Sequence, residues 1–233
     1  MVDRRTVLIT GASSGLGKCL ASEMEQDFWR VINWSKETGV DVSDVESVAS
    51  AALFLKLQFP KIDVLVNCAG VNRIEYIPNA KEEDWDLVMN TNAKGIFLTA
   101  KYLSGLLRNG TICNIVSNAA LKPMTSSIAY NASKGAALIM TRQMSRELRK
   151  THGITVFSVS PNKLKDTGMS EYIDNRVCEL RGWSPEEARN YQLAGLEAGE
   201  ETDPKVLAQF IAYLLSSKER HKFLAGCDMQ YGL

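Results

Sequence analysis

Thr6-Val7-Leu8-Ile9-Thr10-Gly11-Ala12-Ser13-Ser14-Gly15-Leu16-Gly17-Lys18 begins as a short apolar run bordered by threonine and ends among glycines. An apolar run that does not alternate is the pattern of a strand buried on both faces. Gly11, Gly15 and Gly17 interrupt it before a helical spacing sets in at Leu16, Leu20 and Met24. A glycine turn that opens a helix points main-chain N–H groups outward at the positive end of the helix dipole. A phosphate can then approach the backbone, and one glycine lets the helix pack on the strand. The spacing is G-x-x-x-G-x-G, and no Gly-Lys-Ser/Thr follows, so the turn is not a nucleoside-triphosphate P-loop.

Outward from this turn, strand and helix patterns alternate. Strands are expected at 31–34, 62–67, 111–116 and 154–159, with a short last one within 223–229. Helices are expected over 16–26, 44–59, 127–150 and 204–215, with another starting at the capping sequence Ser184-Pro185-Glu186-Glu187. The region 81–108 reads as helix broken near residues 90–92. Only 35–39 separate the second strand from Val40-Asp41-Val42, whereas a helical crossover takes about ten to twelve residues. One helix is therefore missing, and any third strand there must be minimal. The whole predicts one doubly wound, Rossmann-type α/β domain over 1–233, with a mainly parallel sheet flanked by helices. Gly11, residues 67–70, Ser117 and Pro161 fall at the carboxyl ends of strands, where such sheets bind ligands. Residues 162–201 read as a flap covering that edge, with Met169, Tyr172, Ile173, Trp183 and Tyr191 beside Glu171 and Arg176.

Composition narrows the function. Basic and acidic residues number 27 each, so no global charge favours nucleic acid. The apolar stretch after Asp3-Arg4-Arg5 is too short for a signal peptide, and no run approaches the roughly 18 apolar residues of a membrane span. Cys19, Cys68, Cys113, Cys178 and Cys227 have no paired spacing and fit a reducing compartment. A soluble cytoplasmic protein is expected. His152 and His221 lie near no cysteine pair or acidic cluster, so no metal site is expected.

The chemistry concentrates in Ile128-Ala129-Tyr130-Asn131-Ala132-Ser133-Lys134, where Tyr130 and Lys134 share one helix face. A cation beside a phenol favours phenolate and should lower its pKa from about 10, making Tyr130 a proton donor or acceptor. Ser117, at the end of the preceding strand, could bring its hydroxyl to the same point.

Together, Thr10-Gly11-Ala12-Ser13-Ser14-Gly15-Leu16-Gly17, Asn67-Cys68-Ala69-Gly70, Ser117 and Tyr130-Asn131-Ala132-Ser133-Lys134 resemble the short-chain dehydrogenases/reductases over essentially the whole chain. The resemblance implies that Tyr130 is the acid/base at the reacting oxygen and that Ser117 hydrogen-bonds that oxygen. It implies that Lys134 holds the nicotinamide ribose. It also implies an asparagine in a helix break, best matched by Asn92, with Asn90 as the rival register. For the dinucleotide it implies Gly11, Ser13, Ser14, Gly15, Leu16 and Gly17 at the turn, and Asp41 and Val42 near the adenine. Asn67, Ala69, Gly70, Tyr130, Lys134 and Pro161 complete that set. Cys68 stands where the family has a second asparagine, and Pro161-Asn162 stands where it has Pro-Gly; Asn162 could take the glycine's left-handed conformation. The cofactor-selecting position at the end of the second strand is Ser35, followed by Lys36. A hydroxyl and a cation in place of an acidic residue favour NADP(H) over NAD(H).

The expected activity is hydride transfer between NADP(H) and a carbonyl or secondary alcohol. NAD-dependent alcohol oxidation and a non-catalytic dinucleotide sensor or scaffold are the alternatives. Family resemblance and the apolar surface of the helices containing Ala93, Ile96, Phe97, Ile139 and Met140 suggest a homodimer or homotetramer.

Overall fold

A computed structural model describes residues 4–232. Its centre is one parallel sheet of six strands in the order β2-β1-β3-β4-β5-β6. The strands are β1 (Thr6–Thr10), β2 (Arg30–Trp34), β3 (Val64–Asn67), β4 (Thr111–Ile115), β5 (Thr155–Pro161) and β6 (Asp228–Tyr231). All pairings are parallel, with Thr10 beside Trp34 on one side and beside Asn67 on the other. The strand order reverses at β1, which opens a crevice between the ends of β1 and β3.

Every residue of β1, β3, β4 and β5 is buried, as the unbroken apolar runs require. Alternate side chains still go to opposite faces. Val7, Ile9, Val64 and Val66 pack with Leu16, Leu20 and Met24 of α1 (Gly15–Gln26) and with Leu207, Ile211 and Leu215 of the later helix Pro204–Leu215. Leu8 and Leu65 face the other way, toward α2 (Val45–Gln58). Asp44 caps α2 as expected, its carboxylate accepting from the Ser47 N–H at 2.6 Å.

The missing crossover is real. After β2 the chain makes a single 3₁₀ turn, Lys36–Thr38, and goes to α2 without another strand. Val40-Asp41-Val42 is therefore irregular, and β2 becomes a sheet edge. The segment 81–108 is α3 (Glu82–Met89), a π-helical turn (Asn90–Lys94) and α4 (Gly95–Leu103). Next comes α5 (Ile128–His152), closed by Gly153 in the left-handed region. The flap holds two helices, α6 (Gly168–Arg181), which sequence periodicity did not reveal, and α7 (Pro185–Ala194), which starts at the expected Ser184 capping box. The helix Pro204–Leu215 is α8, and α9 (Lys218–His221) precedes the last strand. That strand begins at Asp228 rather than near Phe223, which lies in a 3₁₀ turn instead. No helix among the described residues is long and apolar enough to cross a membrane.

His221 is 3% exposed, with Nε2 2.8 Å from Thr111 Oγ1 and Nδ1 3.3 Å from Leu214 O. The carbonyl requires Nδ1–H as donor, and in the neutral ring Nε2 then accepts from the Thr111 hydroxyl. Burial holds its pKa below the ordinary value. Because the folded value lies below the unfolded one of about 6.5, the stability from the neutral ring is complete above that pH. It is lost as pH falls toward the folded value. The melting temperature is expected to drop between pH 7.5 and 5.5, and to drop less in His221→Gln. Equal pH dependence in the two proteins would contradict this role.

Candidate active site

The crevice is a cavity of about 950 Å³ running from the glycine turn to the flap. At one end the turn leaves no room for side chains. A Cβ on Gly11 would lie 2.8 Å from Ala69 Cα, and one on Gly17 would lie 2.3 Å from Gly11 O. Thr10 Oγ1 joins the two strand ends by accepting from the N–H groups of Cys68 and Ala69 at 3.0 and 3.1 Å. Ser14 precedes α1 without a side-chain cap, and Ser14, Gly15 and Leu16 line the cavity. The opening N–H groups of α1 are thus uncapped at the cavity wall, a donor set that suits a pyrophosphate.

Beyond the turn, Ser35, Lys36, Asp41 and Val42 line the same end. Ser13 is not in the wall; its Oγ lies 2.6 Å from Ser35 Oγ and accepts from Asn33 Nδ2 at 3.1 Å, steadying Ser35. Lys36 Nζ pairs with Asp41 at 2.9 Å, a partnership that sequence did not reveal. Burial works to raise the Asp41 pKa, but hydrogen bonds from Ser43 and Lys36 prevail and hold it below the ordinary carboxylate value.

Ser117, Tyr130 and Lys134 meet at the middle of the cavity. The end of β4 delivers Ser117, whose Oγ accepts from the Ala119 N–H at 3.1 Å. Tyr130 is 9% exposed and packs with Val88, Ala119 and Ala129. Lys134 is 5% exposed; its Nζ donates to Ile115 O at 2.9 Å and lies 5.6 Å from the Tyr130 ring centroid. The expected lowering of the Tyr130 pKa does not occur in the chain alone. Burial raises it, with Ser117 pulling the other way, and burial lowers Lys134 to about 8. Both charged forms lose hydration here, and that outweighs the attraction of an ammonium held on a carbonyl.

Besides Ser13, two expected site residues are not in the wall. Asn67 is buried beneath it, donating to Asn114 Oδ1 and accepting from Thr99 Oγ1, both at 2.8 Å. Its contribution is to fix the end of β3. Asn92 is 0% exposed; it accepts from the Val71 N–H and donates to Val71 O and Ser133 Oγ at 2.9, 2.9 and 3.0 Å. The π-helical turn thus buries Asn92, while Asn90 is only partly buried. Gly70 lies between Asn92 and Lys134: a Cβ there would be 3.4 Å from Asn92 Oδ1 and 3.7 Å from Lys134 Nζ.

Pro161 lines the cavity, but Asn162 is not left-handed. Its side chain instead accepts from the Thr202 N–H at 3.2 Å, fastening the loop after β5 to the far end of the flap. Cys68 occupies the wall with its thiol pushed up to about 12 by burial, far from a reactive thiolate. Of the flap residues, Met169, Ile173 and Tyr191 line the cavity. Tyr172 instead accepts from the Ile74 N–H at 3.1 Å, and Arg176 pairs with Glu75 and Glu179. Val177, Arg181 and Asn72 also line it and escaped the sequence reading. The first two carry a readable signal, since Met169, Ile173, Val177 and Arg181 recur every fourth residue on one helix face.

A family model described as short chain dehydrogenase matches residues 35–177. The 3-oxoacyl-(acyl-carrier-protein) reductase FabG of Vibrio cholerae is 28% identical over 235 residues, covering 92% of this chain and 91% of its own. The NAD-dependent glycerol dehydrogenase of Listeria innocua is 32% identical over 177 residues, covering 67% and 69%. Among solved structures, an actinorhodin polyketide ketoreductase variant with NADPH superposes with a TM-score of 0.88 at 25% identity, over 99% of this chain and 97% of its own. An NAD+-bound xylitol dehydrogenase gives a TM-score of 0.87 over 97% and 96%, at an identity of 21% that shows the fold alone.

Proposed function

Because the chain belongs to the short-chain dehydrogenase family, we propose that it transfers a hydride between NADP(H) and a carbonyl or secondary alcohol, with Tyr130 as acid/base. The observation that carries this reading is the meeting of Ser117, Tyr130 and Lys134 in one cavity with the uncapped start of α1. A sensor or scaffold would need the turn but not that trio.

Bound there, the nicotinamide supplies or accepts the hydride. In reduction, Tyr130 Oη gives its proton to the substrate oxygen, and in oxidation it takes the proton back. Burial that raises the Tyr130 pKa keeps this donor loaded near neutral pH. Ser117 Oγ donates a hydrogen bond to the same oxygen as charge develops on it. Lys134 retains N–H groups beyond the one given to Ile115 O, and these hold the ribose hydroxyls. Asn92 positions Val71 and Ser133 behind the site.

The preference for NADP(H) is supported by Ser35 and Lys36 at the wall and by the NADPH in the ketoreductase neighbour. Lys36 must then leave or share Asp41. With Lys36 68% exposed, that ion pair is worth about 0–1 kcal/mol, against about 1.5–3 kcal/mol for a hydrogen bond to a charged group. The phosphate wins this competition. Calorimetric titration is expected to show tighter binding of NADPH than of NADH, and Lys36→Glu should remove most of the difference. A clear preference for NADH would instead favour the NAD-dependent reading, which the glycerol dehydrogenase relative supports. Oxidation of NADPH by a panel of carbonyl compounds tests the activity itself.

A further inference from the structure

The cavity wall opposite the glycine turn is built by α6 and α7 against the loop 118–127. Its cations differ in how they are engaged. Lys122 faces Glu197, and Lys163 is held by Asp174 and Glu201. Lys36 is on Asp41 and Lys134 on Ile115 O. Among the described residues, Arg181 is the cation in this wall that has neither a carboxylate nor a main-chain carbonyl as partner. Its guanidinium carbon lies 4.6 Å from the Trp183 ring centroid and 4.5 Å from that of Tyr191. Those rings meet at 63° with centroids 5.1 Å apart. The neighbouring guanidinium holds the Tyr191 phenol below its ordinary pKa.

Two aromatic side chains thus fix the guanidinium while leaving most of its N–H groups without a partner. A planar cation held in this way has lost much of its side-chain freedom already, and its remaining donors match the two oxygens of a carboxylate or phosphate. Ile173 and Val177 on the same helix face lower the local polarity, which strengthens such a contact. Among the described residues, Asp41 is the one carboxylate lining the cavity, and it lies at the far end under Lys36.

We infer that the substrate is a carbonyl or alcohol compound bearing an oxyanion, carboxylate or phosphate, and that Arg181 is the residue that selects it. This rests on the oxidoreductase reading above. The test compares kcat/KM within two pairs, 4-oxopentanoate against its methyl ester and dihydroxyacetone phosphate against dihydroxyacetone, at low and high salt. The wild type should favour the charged member of at least one pair by about 10- to 100-fold, the worth of one hydrogen-bonded charge. The preferred pair identifies carboxylate or phosphate. Arg181→Leu should bring the ratio toward one, Arg181→Lys should keep part of it, and added salt should reduce it in the wild type and Arg181→Lys but not in Arg181→Leu. Neutral members used as well as charged ones, or an unchanged ratio in Arg181→Leu, would overturn the proposal. Should Arg181→Leu disorder the flap and abolish all turnover, Arg181→Gln gives the same comparison. If the wild type turns over none of the four compounds, calorimetry with the two anions decides. Binding that is lost in Arg181→Leu supports the site even where the oxidoreductase reading fails, and no binding overturns it.

Discussion

Tyr130→Phe is expected to lower turnover by about 10²–10⁴-fold, the contribution of a positioned general acid, while cofactor affinity stays nearly intact. The substitution removes only the hydroxyl. The ring packs against Val88, Ala119 and Ala129, contacts that phenylalanine keeps, and the glycine turn at one end of the cavity is not touched. Single-turnover hydride transfer by stopped flow, beside a fluorescence titration of NADPH, separates the two properties. A variant retaining more than about a tenth of the wild-type rate, against that expected contribution, would remove Tyr130 from its role. His221 could not take its place, being locked between Thr111 and Leu214. Lys134→Met should behave differently from Tyr130→Phe, with turnover and NADPH affinity falling together. It removes both the proposed ribose donor and the anchor on Ile115 O.

Gly17→Ala should damage the protein at its other pole. The added Cβ would lie 2.3 Å from Gly11 O, 2.8 Å from Gly11 C and 3.1 Å from Ala12 Cα. All three are main-chain atoms, so no side chain can rotate away, and α1 must move off the turn. Overpacking of this kind destabilises by about 1–3 kcal/mol, and each kcal/mol is worth about 2–4 °C in a chain of this size. A melting temperature lower by several degrees and a large loss of NADPH affinity are the expected results. Gly135→Ala is the control, because nothing lies within 4 Å of its Cβ position. Within α5 it should stabilise by about 0.5–1 kcal/mol. If Gly17→Ala matched the wild type in both melting and binding, the close packing of turn on helix would be refuted.

What could be read from sequence was mostly local. The glycine turn, the Asp44 cap, the Ser184 capping box and the helical pairing of Tyr130 with Lys134 each depend on residues within one turn of one another. The short 35–39 link correctly implied a lost crossover, because chain length alone limits what can be spanned. What escaped depends on distant partners. Nothing in Lys36 announces Asp41, and nothing in Asn162 announces the Thr202 N–H that keeps it out of the left-handed region. The Tyr130 pKa was misjudged because a charge neighbour is visible in sequence and the depth of burial is not. Helix α6 was passed over because its polar residues masked the four-residue recurrence of its inner face.

The π-helical turn at Asn90–Lys94 also sets the angular phase between the two helices it joins. An α-helix advances about 100° per residue, and a wider turn accommodates one extra residue, so α4 starts about that far round from where α3 would have carried it. That rotation lets Val88 point to the Tyr130 ring while Leu98 and Leu103 point to the sheet cluster around Leu8 and Leu65. Loss of a single residue here would close the turn to a regular α-helix and leave Leu98 and Leu103 on the sheet, but it would take away the widened turn in which Asn92 is buried. The extra residue therefore serves the placement of Asn92 against Val71 and Ser133 and not the packing of α4 on the sheet.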